Sequence, residues 1–320
     1  MGFNGESTAE EVLRGHDLQG RRALVTGGTS GLGTETVRAL AAAGAHVLFT
    51  GRGPKPDEEA LERLRAGAGP DAGELEYRQL DLGSLASVRA FAAALAHEAA
   101  RLDLVIANAG VMATPLGRTT DGFETQFGTN HLGHFALVNG LTPCLLAAEA
   151  PRVVVLSSRG HRRADVDFDD PNYERRPYDP WEAYGQAKSA NALHAIGLAR
   201  HYGPRGILAF SVMPGGIATG LQRHMPTEQL QAMGWADAEG RRIVPDGWKT
   251  IPQGAATSVW AAVAAELADG AHNGGYLEDC AIAQVWTGPD EQVPTGSVLV
   301  RAQDPERAER LWELSARLTG

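Results

Sequence analysis

The chain has 320 residues, of which 43% are hydrophobic and 6% aromatic, and its formal net charge is −10. This composition is typical of a globular protein with one large core and excludes an intrinsically disordered chain. The acidic balance speaks against nucleic acid as a partner, because the basic residues form no cluster longer than pairs such as Arg162–Arg163.

The chain also lacks the usual signals for export. Its first twenty residues are polar and acidic and contain no apolar signal-peptide core. No apolar run approaches the roughly 18 residues that a membrane span needs. Only two cysteines occur, Cys144 and Cys280, so a disulfide framework is not expected. We therefore expect a soluble, cytoplasmic protein without a membrane span.

In chain order, short aliphatic runs alternate with longer helical patterns. Strands are predicted at 23–27, 46–51, 75–81, 102–110, 152–158 and 207–213. Helical periodicity is clearest at 34–44, 58–67 and 84–100. Strands that alternate with helices in this way predict βαβ units, hence a doubly wound parallel sheet with helices on both faces. We find no linker long enough to divide residues 1–320, so we predict a single α/β domain.

Four segments stand apart from this alternation. Residues 1–18 form an N-terminal extension, and 159–182 is a polar, proline-containing stretch that we predict to be a surface excursion. Residues 220–250 carry Met225, Met233 and Trp235 beside polar groups, which fits either a lid over an apolar pocket or an ordinary amphipathic insertion. The final segment, 296–320, is predicted to be a C-terminal helix.

A glycine-rich turn follows the first predicted strand. The sequence TGGTSGLG (26–33) lies between that strand and a helix. Glycine allows a tight bend and a close approach of the backbone to a pyrophosphate, and the free N–H groups at the helix start bind phosphate. The spacing Gly-x-x-x-Gly-x-Gly departs from the general dinucleotide fingerprint. In this context it still predicts a Rossmann-type nucleotide site. We assign the following residues to cofactor binding: Gly27, Thr29, Ser30, Gly31, Leu32 and Gly33.

The end of the second strand indicates which cofactor is bound. An NAD site places a carboxylate about 20 residues after the first glycines, but here Thr50 occupies that place and Arg52 follows it. A guanidinium can bind a 2′-phosphate through two hydrogen bonds, so NADP(H) is favoured over NAD(H). Lys55 could assist. The alternative is that Arg52 is a solvated loop arginine.

Taken together, the motifs resemble those of the short-chain dehydrogenase/reductase family. They occur in the family's order and span roughly residues 20–220. The matching motifs are TGGTSGLG (26–33), DL (81–82), NAG (108–110), Asn130 in TNHLGHF, SS (157–158), the pair Tyr184 and Lys188, and PGGIAT (214–219). NHLGHF (130–135), SSRGH (157–161) and GGYLEDC (274–280) make the chain more similar to the retinol-dehydrogenase-like branch.

Tyr184 and Lys188 make chemical sense without that resemblance. They are four residues apart in a helical pattern and so share one helix face. An ordinary tyrosine has a pKa near 10, and a neighbouring ammonium is expected to lower it toward the working pH. The resemblance implies that Lys188 also binds the nicotinamide ribose.

Two further catalytic residues are expected. Ser158 follows a buried strand and could hold and polarise the substrate oxygen. Ser157 is the competing choice, and the family pattern favours Ser158. The resemblance implies that Asn130 maintains a helix irregularity and a water link to Lys188.

The remaining cofactor contacts follow from position at the strand ends. The third strand ends at the adenine, the fourth at the ribose and the sixth at the nicotinamide carboxamide. The assigned residues are Asp81, Leu82, Asn108, Ala109, Gly110, Pro214, Gly215, Ile217 and Thr219. We assign no metal, because the histidine pairs His131/His134 and His194/His201 lack further ligands that would complete a site.

These features predict an NADP(H)-dependent oxidoreductase that interconverts a carbonyl and an alcohol. Its expected substrate is a bulky, apolar small molecule. The alternative is a non-catalytic NADP-sensing protein on the same fold, which would need the glycine turn but not the tyrosine, lysine and serine. An epimerase or dehydratase fits less well, because those relatives show Thr-Gly-x-x-Gly-x-x-Gly. The family is commonly dimeric or tetrameric, so a homodimer or homotetramer is expected.

Overall fold

The structure is a computed structural model and describes residues 2–98 and 101–320. Its centre is an eight-stranded sheet in the order β3-β2-β1-β4-β5-β6-β7-β8. Neighbouring strands are parallel up to β7, and β8 pairs with β7 in the antiparallel sense. The strands are β1 (Arg22–Val25), β2 (His46–Gly51), β3 (Leu75–Gln79), β4 (Leu104–Ala107), β5 (Arg152–Leu156), β6 (Leu208–Met213), β7 (Tyr276–Glu278) and β8 (Ala281–Ile282).

Helices connect the strands and cover both faces of the sheet. They are α1 (Ala9–Leu13), α2 (Gly31–Ala42), α3 (Glu58–Ala68), α4 (Leu85–His97), α5 (Thr125–Phe127), α6 (Gly133–Leu146), α7 (Pro180–Tyr202), α8 (Thr227–Ala232), α9 (Ile251–Val263) and α10 (Pro305–Thr319). A small parallel pair, β9 (Gln284–Trp286) and β10 (Ser297–Leu299), lies outside the main sheet. Within the described residues, no helix is both long and apolar enough to cross a membrane.

The core consists of one apolar layer on each face of the sheet. Leu40 of α2, Phe49 of β2 and Trp260 of α9 belong to the first layer. Leu95 of α4 and Leu141 of α6 belong to the second layer. Strand β5 is buried along its whole length, as expected for a central strand covered on both faces. The predicted single doubly wound α/β domain is confirmed.

The topology determines where a ligand can bind. The chain runs outward through β2 and β3 on one side of β1 and returns to β4 on the other side. The loops after β1 and β4 therefore diverge and leave a crevice at the carboxyl edge of the sheet. Ligands of open α/β sheets bind at such a switch point.

The segments outside the alternation differ from the simple picture. Residues 1–18 contain helix α1, which is capped by Thr8 and packs against α9. The stretch 159–182 is not only a surface excursion, because His161, Asp170 and Tyr173 within it are buried. Asp170 accepts backbone hydrogen bonds from three residues, Glu174, Arg175 and Arg176, and so holds the loop in place.

The C-terminal segment 296–320 is helical only from Pro305 onward. Ser297–Leu299 instead forms β10, and a short 3₁₀ turn, Val300–Gln303, separates this strand from α10. Asp304 ends that turn and caps α10 by accepting from the backbone N–H groups of Glu306 and Arg307. Because the cap and Pro305 together set the start of the helix, the predicted boundary was nine residues too early.

Candidate active site

A cavity of about 680 Å³ occupies the crevice at the carboxyl edge of the sheet. All sixteen residues that we assigned to cofactor binding line it, together with Ser158, Tyr184 and Lys188. The lining residues assigned to the cofactor are Gly27, Thr29, Ser30, Gly31, Leu32, Gly33, Arg52, Asp81, Leu82, Asn108, Ala109, Gly110, Pro214, Gly215, Ile217 and Thr219. Asn130 is fully buried behind this surface.

The turn after β1 has the geometry of a phosphate cradle. Gly27 and Gly31 have φ values of 65° and 57°, in the left-handed region that favours glycine. A Cβ on Gly33 would lie 2.1 Å from the Gly27 carbonyl oxygen, so only glycine allows helix α2 to start this close to the turn. Ser30 precedes α2, and its side chain makes no hydrogen bond to the first turn of that helix. The backbone N–H groups of this turn are therefore available to bind a pyrophosphate.

The opposite wall of this half of the cavity fits an adenosine. Asp81 lies in the loop just after β3, and one of its carboxylate oxygens accepts from the backbone N–H of Gly83 at 2.9 Å. Arg52 is exposed at the rim of the cavity, and Thr50, where an NAD site would carry an acid, is buried. Lys55 is exposed and lies outside the cavity lining. These residues therefore fit the adenosine end of a dinucleotide.

Helix α7 carries the predicted Tyr184 and Lys188 to the inner end of the cavity. Asp179 caps this helix and Pro180 occupies its first turn, so the helix begins just before the pair. Both side chains are only 5% exposed. The Lys188 ammonium lies 5.6 Å from the centroid of the Tyr184 ring and donates a hydrogen bond to the Leu156 carbonyl at 2.8 Å.

The expected lowering of the tyrosine pKa was wrong for this structure. Burial raises the pKa of Tyr184 to about 12, and the nearby Ser158 hydroxyl offsets this only in part. Burial also lowers the pKa of Lys188 to about 8, because a buried ammonium is costly when none of the described carboxylates pairs with it. Desolvation therefore outweighs the attraction that the spacing alone suggested.

The two adjacent serines point to different partners. Ser157 donates to the Lys188 carbonyl of α7 at 2.7 Å and is 2% exposed, which is a link between β5 and α7. The Ser158 oxygen accepts from the Gly160 N–H at 3.0 Å, which leaves its hydroxyl hydrogen free to donate. The structure thus favours Ser158 as the residue that faces a substrate oxygen.

Gly160 also makes room for the phenol. A Cβ at this position would lie 2.7 Å from the Tyr184 ring. Any larger residue would therefore push that ring out of place. The glycine lies in the SSRGH motif, but its spacing gave no sign of this role.

Asn130 lies in a turn of π-helix, Gly128–Leu132, between α5 and α6. Its side chain holds both backbone groups of Val111, accepting from the N–H at 2.8 Å and donating to the carbonyl at 2.9 Å. The backbone carbonyl of Asn130 accepts from Nδ1 of His134 at 2.9 Å. The residue thus ties the helix irregularity to the loop after β4.

Thr26 and His134 form a network that the sequence analysis missed. The Thr26 oxygen accepts from the N–H groups of Asn108 and Ala109, both at 3.0 Å, and lies 2.9 Å from Nε2 of His134. Because Nδ1 donates to the Asn130 carbonyl, Nε2 must accept, and the Thr26 hydroxyl donates to it. Burial lowers the pKa of His134 to about 4, so the ring is neutral as this arrangement requires.

The outer half of the cavity is aromatic. Trp181 lies edge-on to Tyr184 with ring centroids 6.2 Å apart, and Trp235 lies 6.2 Å from Trp181. Trp248 continues the series at 4.9 Å from Trp235. Met112 adds a further apolar wall, and segment 220–250 supplies the last two tryptophans of this series.

Comparison with known proteins agrees with this geometry. The family described as short chain dehydrogenase matches residues 21–230. A "Probable oxidoreductase" of Streptomyces lividans is 48% identical over 301 residues, covering 94% of this chain and 98% of the relative. Retinol dehydrogenase 14 of Homo sapiens is 36% identical, covering 97% of this chain and 90% of the relative.

Solved structures give the same picture. A crystal structure of an uncharacterized protein from Mycobacterium Paratuberculosis is 31% identical with a TM-score of 0.71, covering 100% of this chain and 98% of its own. The Pseudomonas aeruginosa RhlG/NADP active-site complex is 27% identical with a TM-score of 0.60, covering 82% of this chain and 95% of its own. The chain belongs to the short-chain dehydrogenase/reductase family, in a retinol-dehydrogenase-like branch, and is an oxidoreductase.

Proposed function

We propose that the protein is an NADP(H)-dependent oxidoreductase that interconverts a carbonyl and an alcohol on a bulky apolar substrate. One observation carries this proposal. Ser158, Tyr184 and Lys188 meet at the inner end of a cavity whose other end is built from dinucleotide-binding loops. A protein that only senses the nucleotide has no need of these three side chains.

Ser158 and Tyr184 have different roles in the reaction. The bound nicotinamide supplies or accepts the hydride. The Ser158 hydroxyl donates a hydrogen bond to the substrate oxygen. In the reductive direction, Tyr184 donates a proton to that oxygen. Burial keeps the Tyr184 phenol protonated at neutral pH, which is the form that reduction requires.

Lys188 has more hydrogen-bond donors than its contact with β5 uses. Its ammonium has three donors, and one of them is used by the Leu156 carbonyl. The other two can bind ribose hydroxyls and return a proton to Tyr184 through water. Asn130 acts as a positioning residue, because its own side chain is committed to Val111.

The choice of NADP(H) rests on the rim of the cavity after β2. Arg52 is exposed there without a carboxylate at position 50 to repel a 2′-phosphate. The relative RhlG was solved with NADP, which supports this choice. The aromatic outer half and the likeness to retinol dehydrogenase 14 support a bulky apolar substrate. Segment 220–250 is proposed as its lid, and a homodimer or homotetramer stays a prediction.

Turnover of a panel of apolar aldehydes and ketones, followed by NADPH absorbance, tests the proposal. Tyr184→Phe should lower kcat by about 10²–10⁴-fold, because a positioned general acid contributes that much. Tyr202→Phe is the matched control, because Tyr202 lies at the far end of α7 and its hydroxyl donates to Asn139 of α6. This variant should keep the parental rate. The same assay with NADH should be slower.

Three results would contradict the proposal. An unchanged rate for Tyr184→Phe removes the assigned acid. Tight NADPH binding without turnover of any carbonyl or alcohol favours the non-catalytic sensor. A strong preference for NADH overturns the role of Arg52.

A further inference from the structure

The charge of the cavity lining is opposite to that of the protein. The chain carries a net charge of −10, yet the described lining residues include five cationic side chains, Arg52, Arg159, Arg163, Lys188 and Arg223. Asp81 is the sole carboxylate among those described lining residues, and it lies at the adenosine end. The cavity is therefore suited to anionic ligands beyond what the overall charge suggests.

Four of the five cations already have a partner or an assigned task. Arg52 faces the 2′-phosphate position and Lys188 the ribose and the catalytic tyrosine. Arg159 forms a salt bridge of 2.9 Å with the buried Glu278. Arg223 donates to the Gly220 carbonyl at 2.9 Å. One cation, Arg163, is not accounted for.

Arg163 lies over the indole of Trp181, with its guanidinium carbon 4.9 Å from the ring centroid. Among the side chains that the structure describes, none forms a salt bridge with this guanidinium or accepts a hydrogen bond from it. Stacking on an indole holds a guanidinium in a defined plane and leaves its N–H edge free for two parallel hydrogen bonds to a carboxylate.

The position of the Arg163 N–H edge relative to Tyr184 indicates the shape of the substrate. The aromatic wall begins at Tyr184, beside which the substrate carbonyl must lie. The next ring is that of Trp181, and Arg163 lies over it. Trp235 and Trp248 continue the wall. A flat, conjugated or aromatic body can pack against Trp181 with its carbonyl beside Tyr184 and an anionic group beside Arg163.

We propose, building on the proposed function, that Arg163 and Trp181 form a carboxylate-binding subsite. The substrate is then an aromatic or conjugated carbonyl compound, or the corresponding alcohol, that carries a carboxylate distant from the reacting carbon. Arg163 determines specificity and takes no part in the proton or hydride transfer.

The test compares acids with their methyl esters. The probes are 4-formylbenzoate, 4-formylcinnamate and 4′-formylbiphenyl-4-carboxylate, each beside its ester, so that the distance from carbonyl to carboxylate varies. The parent enzyme should show a lower KM for at least one acid than for its ester. Arg163→Gln should raise the KM of that acid about tenfold, which is the loss expected for a hydrogen bond to a charged group. The ester KM and kcat should change less than twofold.

Three comparisons make the result specific. Arg205→Gln removes an exposed arginine outside the cavity and should leave every KM unchanged. Arg163→Lys should restore only part of the preference, because it keeps the charge but not the planar fork. Added salt should raise the acid KM in the parent and not in Arg163→Gln.

Failure of the subsite is distinguishable from failure of the proposed function. Turnover of acids and esters with equal KM, or an equal loss for both in Arg163→Gln, overturns the subsite and leaves the oxidoreductase assignment intact. If no probe is turned over, quenching of tryptophan fluorescence still measures binding. Acid binding that weakens in Arg163→Gln then supports the subsite alone, and equal binding of acid and ester overturns it.

Discussion

At the scale of single residues, the most unusual group is the buried ammonium of Lys188. Its hydrogen bond to the Leu156 carbonyl is duplicated, because Asn191 donates to the same oxygen at 2.9 Å. The lysine therefore satisfies no group that would otherwise be left unpaired. A charge buried for function and not for packing costs folding stability.

Lys188→Met should accordingly stabilise the fold while abolishing turnover. The folded pKa of about 8 lies below the ordinary 10.5, so the folded state disfavours the proton. The penalty is complete below pH 8 and disappears as the pH rises toward 10.5. We expect the free energy of unfolding to rise by about 2 kcal/mol at pH 7 and by much less at pH 10, measured by urea unfolding.

Lys55→Met, at an exposed position, is the matched control and should leave unfolding unchanged at both pH values. A Lys188→Met variant that is less stable than the parent at pH 7 would show that the ammonium supports the fold. Equal gains at both pH values would show that its charge is not responsible.

At the scale of elements, the network around Thr26 joins three separate parts of the chain. The hydroxyl serves the loop after β4 through Asn108 and Ala109, and the π-helical turn through His134. The sequence placed Asn130 and the glycine turn in the correct order, yet it could not show that Thr26, the first residue of that turn, links the two. The link depends on how β1, β4 and α6 pack together, which no local pattern reports.

Thr26→Val should weaken both the fold and nucleotide binding. Valine keeps the shape of threonine but leaves the Ala109 N–H and the acceptor nitrogen of His134 without their partner, while the Asn108 N–H keeps its bond to the Ile106 carbonyl. We expect a loss of about 2 kcal/mol in unfolding free energy and weaker NADP⁺ binding by calorimetry.

Thr36→Val provides the comparison, because the Thr36 hydroxyl only donates to the Leu32 carbonyl one turn back in α2. It should change both quantities little. Should Thr26→Val behave like Thr36→Val in both measurements, the network is not a determinant of the loop geometry.

At the scale of the whole molecule, buried histidines should make the fold sensitive to acid. Burial lowers the pKa of His134 and His161 to about 4 and that of His194 to about 3. Each ring is neutral in the folded state and takes up a proton near pH 6.5 when unfolded. Stability is therefore complete above pH 6.5 and decreases as the pH falls toward 4.

His194→Leu isolates this effect. Among the described residues, neither ring nitrogen of His194 has a hydrogen-bond partner, and the ring packs against Phe135 and Trp312. Between pH 7 and pH 5, the free energy of unfolding of the variant should fall by roughly 1–2 kcal/mol less than that of the parent. Thermal unfolding at the two pH values measures this difference. His272→Gln, at an exposed position, should follow the parent. A His194→Leu variant with the parental pH dependence would contradict this explanation.

Strand β7 shows where sequence patterns are too short to be informative. Its three residues, Tyr276–Glu278, lie in GGYLEDC, which we used as a family motif without predicting a strand. A strand of this length has no measurable periodicity, and it forms because β6 offers a free edge. Five of the six earlier strands were predictable because each is an aliphatic run between helical segments, whereas β3 is mostly polar and was predictable from its place between two such segments.

The sequence by itself determined the alternating fold, the glycine cradle and the loops that receive a dinucleotide, since these depend on local spacing and on glycine's conformational freedom. Only the tertiary structure decided that Ser158, Tyr184 and Lys188 meet at the buried end of a cavity, that burial raises the pKa of the phenol, and that Arg163 stacks on Trp181 at the same cavity. Those properties arise from contacts and desolvation between segments far apart in the chain, which local patterns do not encode.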